Sequence, residues 1–306
     1  MPYDYFDAHC DTISRCLKTG EPLLSNSGHI DMDRTATFDR YAQFFALFHD
    51  AAKAPADGMW AQCRRLHDTF LREVSQNAER ISHCCTAAEI NAAVDGEKAA
   101  ALLSIEGADL IECEIEKIHT VSDWGVRFLN PVWNRANPLA GTNAEEPERG
   151  LSPLGRDFIR ELETCGIYAD VSHLSDAAFW DLVRMTSRPI VASHSNSRAL
   201  CPHPRNLTDD QFCAIRDTGG VVGMNFYLHF VGDASMDSFL RHIEHFLDLG
   251  GEKTICMGGD LDGCEELAAG LRDVQDVPIL YQALKNRGYS DALLEDLFWN
   301  NLMRLL

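Results

Sequence analysis

The 306-residue sequence has no run of about 18 apolar residues, so we expect no membrane-spanning segment. Basic side chains are also scarce: 27 Lys and Arg stand against 47 Asp and Glu, which gives a formal net charge of −20. This excess of carboxylates would repel phosphates, and no basic stripe is present. The sequence therefore argues against nucleic acid and against a membrane as partners.

The usual signals of export are missing as well. The N-terminal residues have neither the basic region nor the apolar stretch of a signal peptide. The 11 cysteines are an odd number and lack both a CxxC pair and the spacing of a disulfide framework. We therefore expect a cytoplasmic protein with reduced cysteines, many of them buried as small apolar side chains.

The composition is that of a folded protein, with 45% hydrophobic and 24% charged residues. No linker, low-complexity tract or internal repeat divides the sequence, so we predict a single domain over residues 1–306. Short apolar runs alternate with amphipathic stretches, which is typical of a parallel sheet covered by helices. Eight runs are predicted as strands, of which the second could instead open a helix: Tyr3–Ala8, Ala42–Phe48, Ala100–Ile105, Val126–Val132, Ile167–Val171, Pro189–Ala192, Val221–Asn225 and Thr254–Met257.

Helix signals lie between these runs. Apolar residues from Trp60 to Val74 recur every three or four positions, which predicts one buried helix face. Gly219 and Gly220 are expected to stop a helix. Five polar residues are expected to cap helices: Ser152 (followed by Pro153), Ser175, Thr208, Ser235 and Ser290. Eight strands alternating with helices predict an α/β fold, a (β/α)8 TIM barrel, with a doubly wound open sheet as the alternative.

Five of the predicted strands deliver a histidine or a carboxylate at their carboxyl ends. In a barrel these ends meet at one face, where the active site lies. The residues concerned include His9 and Asp11, Glu106, His173, His194, and Asp260. Each residue alone is more commonly structural, but together they favour a metal-dependent hydrolase.

The spacing of these residues suits two metal ions. His9 and Asp11 are two apart in an extended segment, so both side chains would face one cation. His173 and His194 end adjacent strands and could hold a second cation, while Glu106 could bridge the two. Imidazole with carboxylate suits zinc best, and Mn, Co and Fe stay open. Two such ions would clamp a hydroxide and polarise a carbonyl.

Other features keep a structural interpretation. The segment GGDLDG at 258–263, taken by itself, is a loop or half a calcium site in which glycines would supply positive φ. His242 and His245 are three apart, so a metal pair on a helix surface is conceivable. The remaining histidines lie in loops or on predicted helices without a partner at useful spacing: His29, His49, His67, His83, His119 and His229, besides His242 and His245.

Nine short segments form a more specific pattern. They are DAHCD at 7–11, SIEG at 104–107, DVSH at 170–173, SHS at 193–195, CPHPRN at 201–206, TGGVV at 218–222, GGDLDG at 258–263, GLRDV at 270–274 and NNLMRL at 300–305. In this order, and across nearly the whole chain, they resemble the renal (membrane) dipeptidase family. The resemblance implies a (β/α)8 barrel with a binuclear zinc site that hydrolyses dipeptides through a hydroxide bridged between the two ions.

The resemblance also implies roles for individual residues. His9 and Asp11 would bind one ion, His173 and His194 the other, and Glu106 would bridge. Arg205 would hold the terminal carboxylate of the substrate, which its planar guanidinium can bind with two hydrogen bonds. Asp260 would carry the proton from the attacking water to the leaving amine, with Asp262 as the neighbouring alternative.

The chain departs from the family at one position. Where the mammalian enzymes have a histidine after strand four, this sequence has Trp133, which offers one N–H donor and no titratable proton. Trp133 could bind an oxyanion or form a wall of the substrate pocket, Asn134 could supply a donor instead, and Tyr227 is a further candidate wall. The departure puts the β-lactam hydrolysis known in the family in doubt.

We therefore predict a zinc-dependent dipeptidase, with a homodimer as a candidate assembly because family members are often dimers. A first alternative is another binuclear amidohydrolase: an N-acyl amino acid hydrolase, a deaminase or a lactonase. Such barrels commonly use a carbamylated lysine on strand four, and Val126–Val132 has no lysine. A second alternative is an inactive peptide-binding barrel, which only Trp133 favours.

Overall fold

The computed structural model describes residues 3–306, so Met1 and Pro2 of the predicted domain lie outside the described residues. Nine parallel strands form one sheet. The strands are β1 (Asp4–Cys10), β2 (Arg40–Phe48), β3 (Ile81–His83), β4 (Ala99–Glu106), β5 (Val126–Asn130), β6 (Tyr168–Ala169), β7 (Val191–Ala192), β8 (Val221–Met224) and β9 (Ile255–Met257).

The main sheet runs in the order β6-β5-β4-β2-β1-β9-β8-β7. A parallel bridge between Asp170 and Val191 brings its two outer strands together, so that the eight strands form a nearly closed barrel. The (β/α)8 prediction is confirmed. The doubly wound alternative is wrong, because an open sheet would leave β6 and β7 as separate edges.

Helices fill the connections between the strands. They are α1 (Thr12–Thr19), α2 (Met32–Thr35), α3 (Met59–Gln76), α4 (Ala87–Asp95), α5 (Glu116–Asp123), α6 (Pro153–Thr164), α7 (Asp176–Met185), α8 (Asp209–Asp217), α9 (Leu228–Val231), α10 (Met236–Asp248), α11 (Val277–Asn286), α12 (Asp291–Glu295) and α13 (Asn301–Met303). All five predicted caps accept a hydrogen bond from a backbone N–H in the first turn of their helix. Gly219 follows α8 with φ of 75°, as expected of a helix stop.

The strand predictions differ from the structure mainly in length. The fifth predicted run, Ile167–Val171, contains a strand of only two residues. The run at Ala42–Phe48 forms a strand and not a helix. The sequence patterns missed β3, which is three residues long and pairs with the first residues of β4, outside the barrel order.

An apolar cluster fills the barrel interior below the carboxyl ends of its strands. Phe44 stacks on Phe128 with ring centroids 4.0 Å apart and on Phe6 at 5.8 Å. Trp299 packs on Phe6 at 5.6 Å from a π-helical turn that joins α12 to α13. Leu302 belongs to the same cluster, so the C-terminal segment covers the bottom of the barrel. This segment does not cover the opposite face of the barrel, at the carboxyl ends of the strands.

Eight of the 11 cysteines are buried, as expected of small apolar side chains, and the structure places none of the 11 in a disulfide. Along residues 3–306, no helix combines the length and the apolar character needed to cross a lipid bilayer.

Phe44→Ala should lower the free energy of unfolding by about 3–5 kcal/mol, because it leaves a cavity between two buried rings. Chemical denaturation measures this change. Leu71→Ala on the exposed side of α3 is the matched control and should change stability by less than about 0.5 kcal/mol. Equal effects of the two substitutions would contradict the assignment of Phe44 to the interior core.

Candidate metal centre

A cavity of about 1250 Å³ opens at the carboxyl ends of the strands. Nine of the ten predicted site residues line it: Asp11, Glu106, Trp133, Asn134, His173, His194, Arg205, Tyr227 and Asp260. The tenth, His9, lies just behind these residues and is only 1% exposed. Residues that are distant in the sequence therefore lie together at one cavity.

A shift in strand register aims His9 at this cavity. Phe6 and Ala8 face the barrel interior, so strict alternation would turn His9 outward. The pairing of β1 with β2 shifts between Asp7 and Cys10, and the Asp7 carboxylate accepts hydrogen bonds from the backbone N–H of His9 and Gly259, each at 2.9 Å. Such irregularities commonly redirect a side chain beside a functional site.

His9 and Asp11 are neighbours, as predicted, but not for the predicted reason. The His9 Nε2 atom lies 3.6 Å from Asp11 Oδ2. Asp11 is not in the strand, because it stands at the N-terminal end of α1. The alternation expected between the two residues is therefore wrong, and the turn from strand to helix brings them together instead.

Glu106 stands at the centre of the cluster. Its Oε1 atom lies 2.8 Å from His173 Nε2 and 3.5 Å from His194 Nε2. Its Oε2 atom lies 3.8 Å from His9 Nε2. The glutamate thus reaches all three histidines with its two oxygens, which is the arrangement that a bridging ligand needs.

Hydrogen bonds orient the two histidines of the second predicted pair. His173 Nδ1 lies 3.0 Å from Asn134 Oδ1, and His194 Nδ1 lies 2.7 Å from Ser193 Oγ. With Nδ1 donating in each case, each Nε2 atom is unprotonated and carries a lone pair. The two Nε2 atoms face each other at 3.1 Å, as metal-binding imidazoles with outer hydrogen-bond partners do.

The electrostatics of the cluster favour bound positive charge. Burial alone would lower the pKa of His9, but Glu106, Asp11 and Asp260 together raise it to about 10. Burial raises the pKa of Glu106 well above its usual value. Burial also lowers the pKa of His194 well below its usual value, so this imidazole stays neutral and available as a ligand.

The donor set fits metal ions. His9 Nε2 and Asp11 Oδ1 are buried and have no hydrogen-bond partner within the described residues. Two overlapping groups place their ligand atoms within 4.8 Å of one another: His9, Glu106 and His194, and His9, Asp11 and Asp260. These groups divide the ligands differently from the sequence expectation, since His9 belongs to both. Imidazole nitrogens with carboxylate oxygens suit zinc and related divalent metals.

The GGDLDG loop differs from its expected conformation. Its positive φ angles occur at Asp260 (57°) and Asp262 (65°) and not at its glycines, so that expectation is wrong. Gly263 is needed for close approach, because a Cβ atom there would lie 2.2 Å from Asp11 Oδ2 and 2.3 Å from Asp260 Oδ1. Strained conformations of this kind are typical of functional loops.

The two aspartates of this loop have different surroundings. The oxygens of Asp262 accept hydrogen bonds from Thr12 Oγ1 at 2.6 Å and from the His29 backbone N–H at 2.7 Å. Asp260 points into the mouth, with Oδ1 3.8 Å from His9 Nε2. Burial raises the pKa of Asp260 to about 6. Asp262 thus ties the loop to α1, and Asp260 faces the cluster.

Arg205 brings a buried positive charge to the same cavity. Its Nη2 atom lies 3.3 Å from His173 Nε2 and donates to the His194 carbonyl oxygen at 3.4 Å. Its Nη1 atom is buried without a hydrogen-bond partner in residues 3–306, and no carboxylate there forms an ion pair with it. Burial lowers its pKa to about 10, so the guanidinium stays charged at neutral pH. A buried guanidinium with a free donor is suited to bind an anion.

Sequence patterns missed residues that position the cluster. Asn225 donates to Asp260 Oδ2 at 3.2 Å, and its own N–H bonds to Asn196 Oδ1 at 3.0 Å. The position of Asn225 at the end of a predicted strand was the sequence feature that could have indicated this role. His29 was expected to lack a partner, but its Nδ1 accepts from the Asp262 N–H at 2.9 Å. His242 is fixed by backbone groups and does not pair with His245.

Comparisons with known proteins agree with this architecture. The sequence model of the membrane dipeptidase family (peptidase family M19) matches residues 3–306. An uncharacterised protein encoded in the 5′ region of pqqA in Klebsiella pneumoniae is 36% identical over 265 residues, which cover 82% of this chain and 96% of that protein.

Two crystal structures are similar over the whole chain. A metallopeptidase from Rhodobacter sphaeroides, liganded with a phosphinate mimic of the dipeptide L-Ala-D-Ala, has a TM-score of 0.91 and 28% identity, covering 100% of this chain and 99% of that chain. A metallo-dipeptidase of family M19 has the same TM-score and identity, covering 100% of this chain and 98% of that chain.

His9→Ala should reduce the metal content of the purified protein by about one equivalent or more per chain, because His9 Nε2 is shared by both ligand groups. Elemental analysis measures the content. His67→Ala, which removes a histidine stacked on Trp124 away from the cavity, is the control and should keep the wild-type content. Equal metal content in the two variants would rule out His9 as a ligand.

Proposed function

Because the chain belongs to the membrane dipeptidase family (peptidase family M19), we propose that it hydrolyses dipeptides with two zinc ions held at the mouth of its barrel. Membership makes the protein a metal-dependent hydrolase of the dipeptidase class. The identity and number of the metals and the roles of individual residues belong to the proposal. The observation that carries it is the buried Arg205 guanidinium, which stands beside the histidine and carboxylate cluster.

The ligands proposed for the two ions are His9 and Asp11 for one, His173 and His194 for the other, and Glu106 between them. Their support is the convergence of nitrogen and oxygen atoms and the excess of buried carboxylates described above. When bound, the metals supply an activated water and neutralise charge that develops on the scissile carbonyl. Other divalent transition metals could fill the same ligand set.

Arg205 is proposed to bind the terminal carboxylate of the substrate. A guanidinium fork binds a carboxylate through two parallel hydrogen bonds, and Nη1 has a free donor for this purpose. Arg205 Nη2 lies only 3.3 Å from His173 Nε2, so the anchored carboxylate sits close to the cluster. This short separation favours a substrate with one residue between its carboxylate and the bond to be cleaved. The dipeptide mimic bound to the Rhodobacter sphaeroides relative supports the same size of ligand.

Asp260 is proposed to move the proton. Its carboxylate faces the cluster, and its raised pKa of about 6 is close to the value that suits a general base at neutral pH. It would accept a proton from the attacking water and donate it to the departing nitrogen. Asn225 holds Oδ2 in place and leaves Oδ1 for this transfer.

Three residues complete the proposed substrate pocket. Trp133 packs on Phe48 with centroids 4.8 Å apart and forms one wall. Tyr227 also lines the cavity, in edge contact with Phe230. The Asn134 oxygen orients His173, which leaves its amide N–H₂ group as the part that could contact substrate.

Several wider features stay predictions. We propose that residues 1–306 act as one catalytic domain, that the protein is cytoplasmic, and that a homodimer is its candidate assembly. The net charge of −20 disfavours nucleic acid as a partner. An N-acyl amino acid would present the same carboxylate to Arg205, so a panel of dipeptides, N-acyl amino acids and lactones separates the proposed activity from its alternatives.

Asp260→Asn should lower kcat by about 10²–10⁴-fold with nearly normal metal content, because the amide cannot carry the proton. Steady-state kinetics with a cleavable dipeptide and elemental analysis measure the two effects. Asp262→Asn in the same loop is the matched control and should keep most of its turnover, since that side chain bonds to α1. Turnover by Asp260→Asn at the wild-type rate would refute the proton transfer.

Arg205→Ala should lower kcat/KM for dipeptides by about 100-fold or more, because the carboxylate loses its charged partner. For a dipeptide amide, which lacks the carboxylate, the substitution should lower kcat/KM much less. Arg205→Lys keeps the charge without the planar fork and should be intermediate. An equal loss on the acid and the amide would contradict carboxylate binding.

A further inference from the structure

A second group of metal-ligating side chains lies outside the cavity. His119 is on α5, Glu161 is on α6, and Cys165 immediately follows α6. Their ligand atoms lie within 4.8 Å of one another. Sequence spacing gives His119 no partner, because its two neighbours are more than 40 positions away in the chain.

The distances within this group suit one ion. Cys165 Sγ lies 3.4 Å from His119 Nδ1 and 3.7 Å from Glu161 Oε1. Ligand atoms of a tetrahedral zinc site are roughly 3.3–3.8 Å apart, given zinc bonds of about 2.0–2.3 Å. His119 Nε2 lies 3.1 Å from the same Glu161 oxygen. The imidazole is 63% exposed, so it is free to rotate and present a single nitrogen to an ion.

The backbone around the group is held in place. Ser122 Oγ on α5 donates to the Cys165 carbonyl oxygen at 3.0 Å, which joins the ends of the two helices. Among residues 3–306, His119 is the only basic side chain that forms an ion pair with Glu161. No Lys or Arg therefore occupies the place that a cation would take.

We propose that His119, Glu161 and Cys165 form a third metal site, specific for zinc-like divalent ions and structural in role. Thiolate with imidazole selects zinc over the harder calcium and magnesium, and the carboxylate completes three ligands with water as the fourth. A site of this kind fixes the C-terminal end of α5 to that of α6.

The location separates this site from catalysis. α5 ends just before β5 begins, and α6 ends just before β6 begins. The helix ends therefore lie at the amino ends of the strands, opposite the cavity, where barrel residues contribute to stability. The proposal is independent of the proposed function, and none of the ligands proposed there is a cysteine.

Titration of the chelator-treated full-length protein with Co²⁺ tests the site. A thiolate bound to Co²⁺ gives an absorption band that imidazole and carboxylate ligands do not give. Because Cys264 also lines the cavity, it is the loss of the band in Cys165→Ser that assigns the band to Cys165. We expect the band in the wild type, its loss in Cys165→Ser, and about one equivalent less bound metal in that variant by elemental analysis. Glu161→Gln should weaken binding by about tenfold or more.

Cys85→Ser is the matched control, because Cys85 Sγ also lies near an imidazole, 3.7 Å from His83 Nε2. Within residues 3–306, however, Cys85 belongs to no group of three candidate ligands. Cys85→Ser should keep the band.

At zinc concentrations about 100-fold above Kd, the metal should raise Tm by roughly 4 °C more in the wild type than in Cys165→Ser. Dipeptide turnover should be equal in all these variants. His119→Ala should also lose the band, and it serves if the serine variant fails to fold.

The absence of a thiolate band in the wild type, with equal metal content in wild type and Cys165→Ser, would overturn the proposal and leave a hydrogen-bonded surface triad. A band that persists in Cys165→Ser would also overturn it and place the thiolate ligand at another cysteine, such as Cys85 or the cavity-lining Cys264.

Discussion

Uncompensated negative charge around Glu106 is the constraint on which the mouth of the barrel depends. Glu106, Asp11 and Asp260 are brought together in a buried setting, and in residues 3–306 their ion-pairing partners are histidines and not Lys or Arg. Buried carboxylates without cations are costly. A proton on His9, or the metal ions proposed for this cluster, would supply the missing charge. The register shift in β1 orients His9 toward Glu106. Hydrogen bonds to Asn134 and Ser193 orient His173 and His194 toward the same carboxylate.

Arg205 adds a charge of opposite sign at the edge of this cluster. Under the proposed roles, its position beside His173 would put the carboxylate-binding group and a metal ligand only 3.3 Å apart. This arrangement would select substrates by length, since a longer peptide bound by its terminal carboxylate would place a different bond at the proposed metals. The size of the cavity does not contradict this selection by length, because the anchor determines where a substrate begins.

The sequence predicted the members of the cluster better than it predicted their arrangement. His9 and Asp11 are neighbours, yet a strand irregularity and a helix start bring them together, and neither is visible in a spacing of two. Asp260 and Asp262 are equivalent in the sequence, and only hydrogen bonds to Thr12 and His29 distinguish them. These bonds join residues more than 200 positions apart, so no local pattern carries them.

By itself, the sequence determined the (β/α)8 architecture and the set of polar residues at the strand ends. It could do so because alternation of buried strands with amphipathic helices is a local property, and because parallel strands in a barrel end at one face. The tertiary structure alone decided which carboxylate faces the cluster, which amide positions it, and that His119, Glu161 and Cys165 meet on the far side. Those outcomes depend on contacts between segments distant in the chain, whose geometry is fixed only when the barrel is nearly closed.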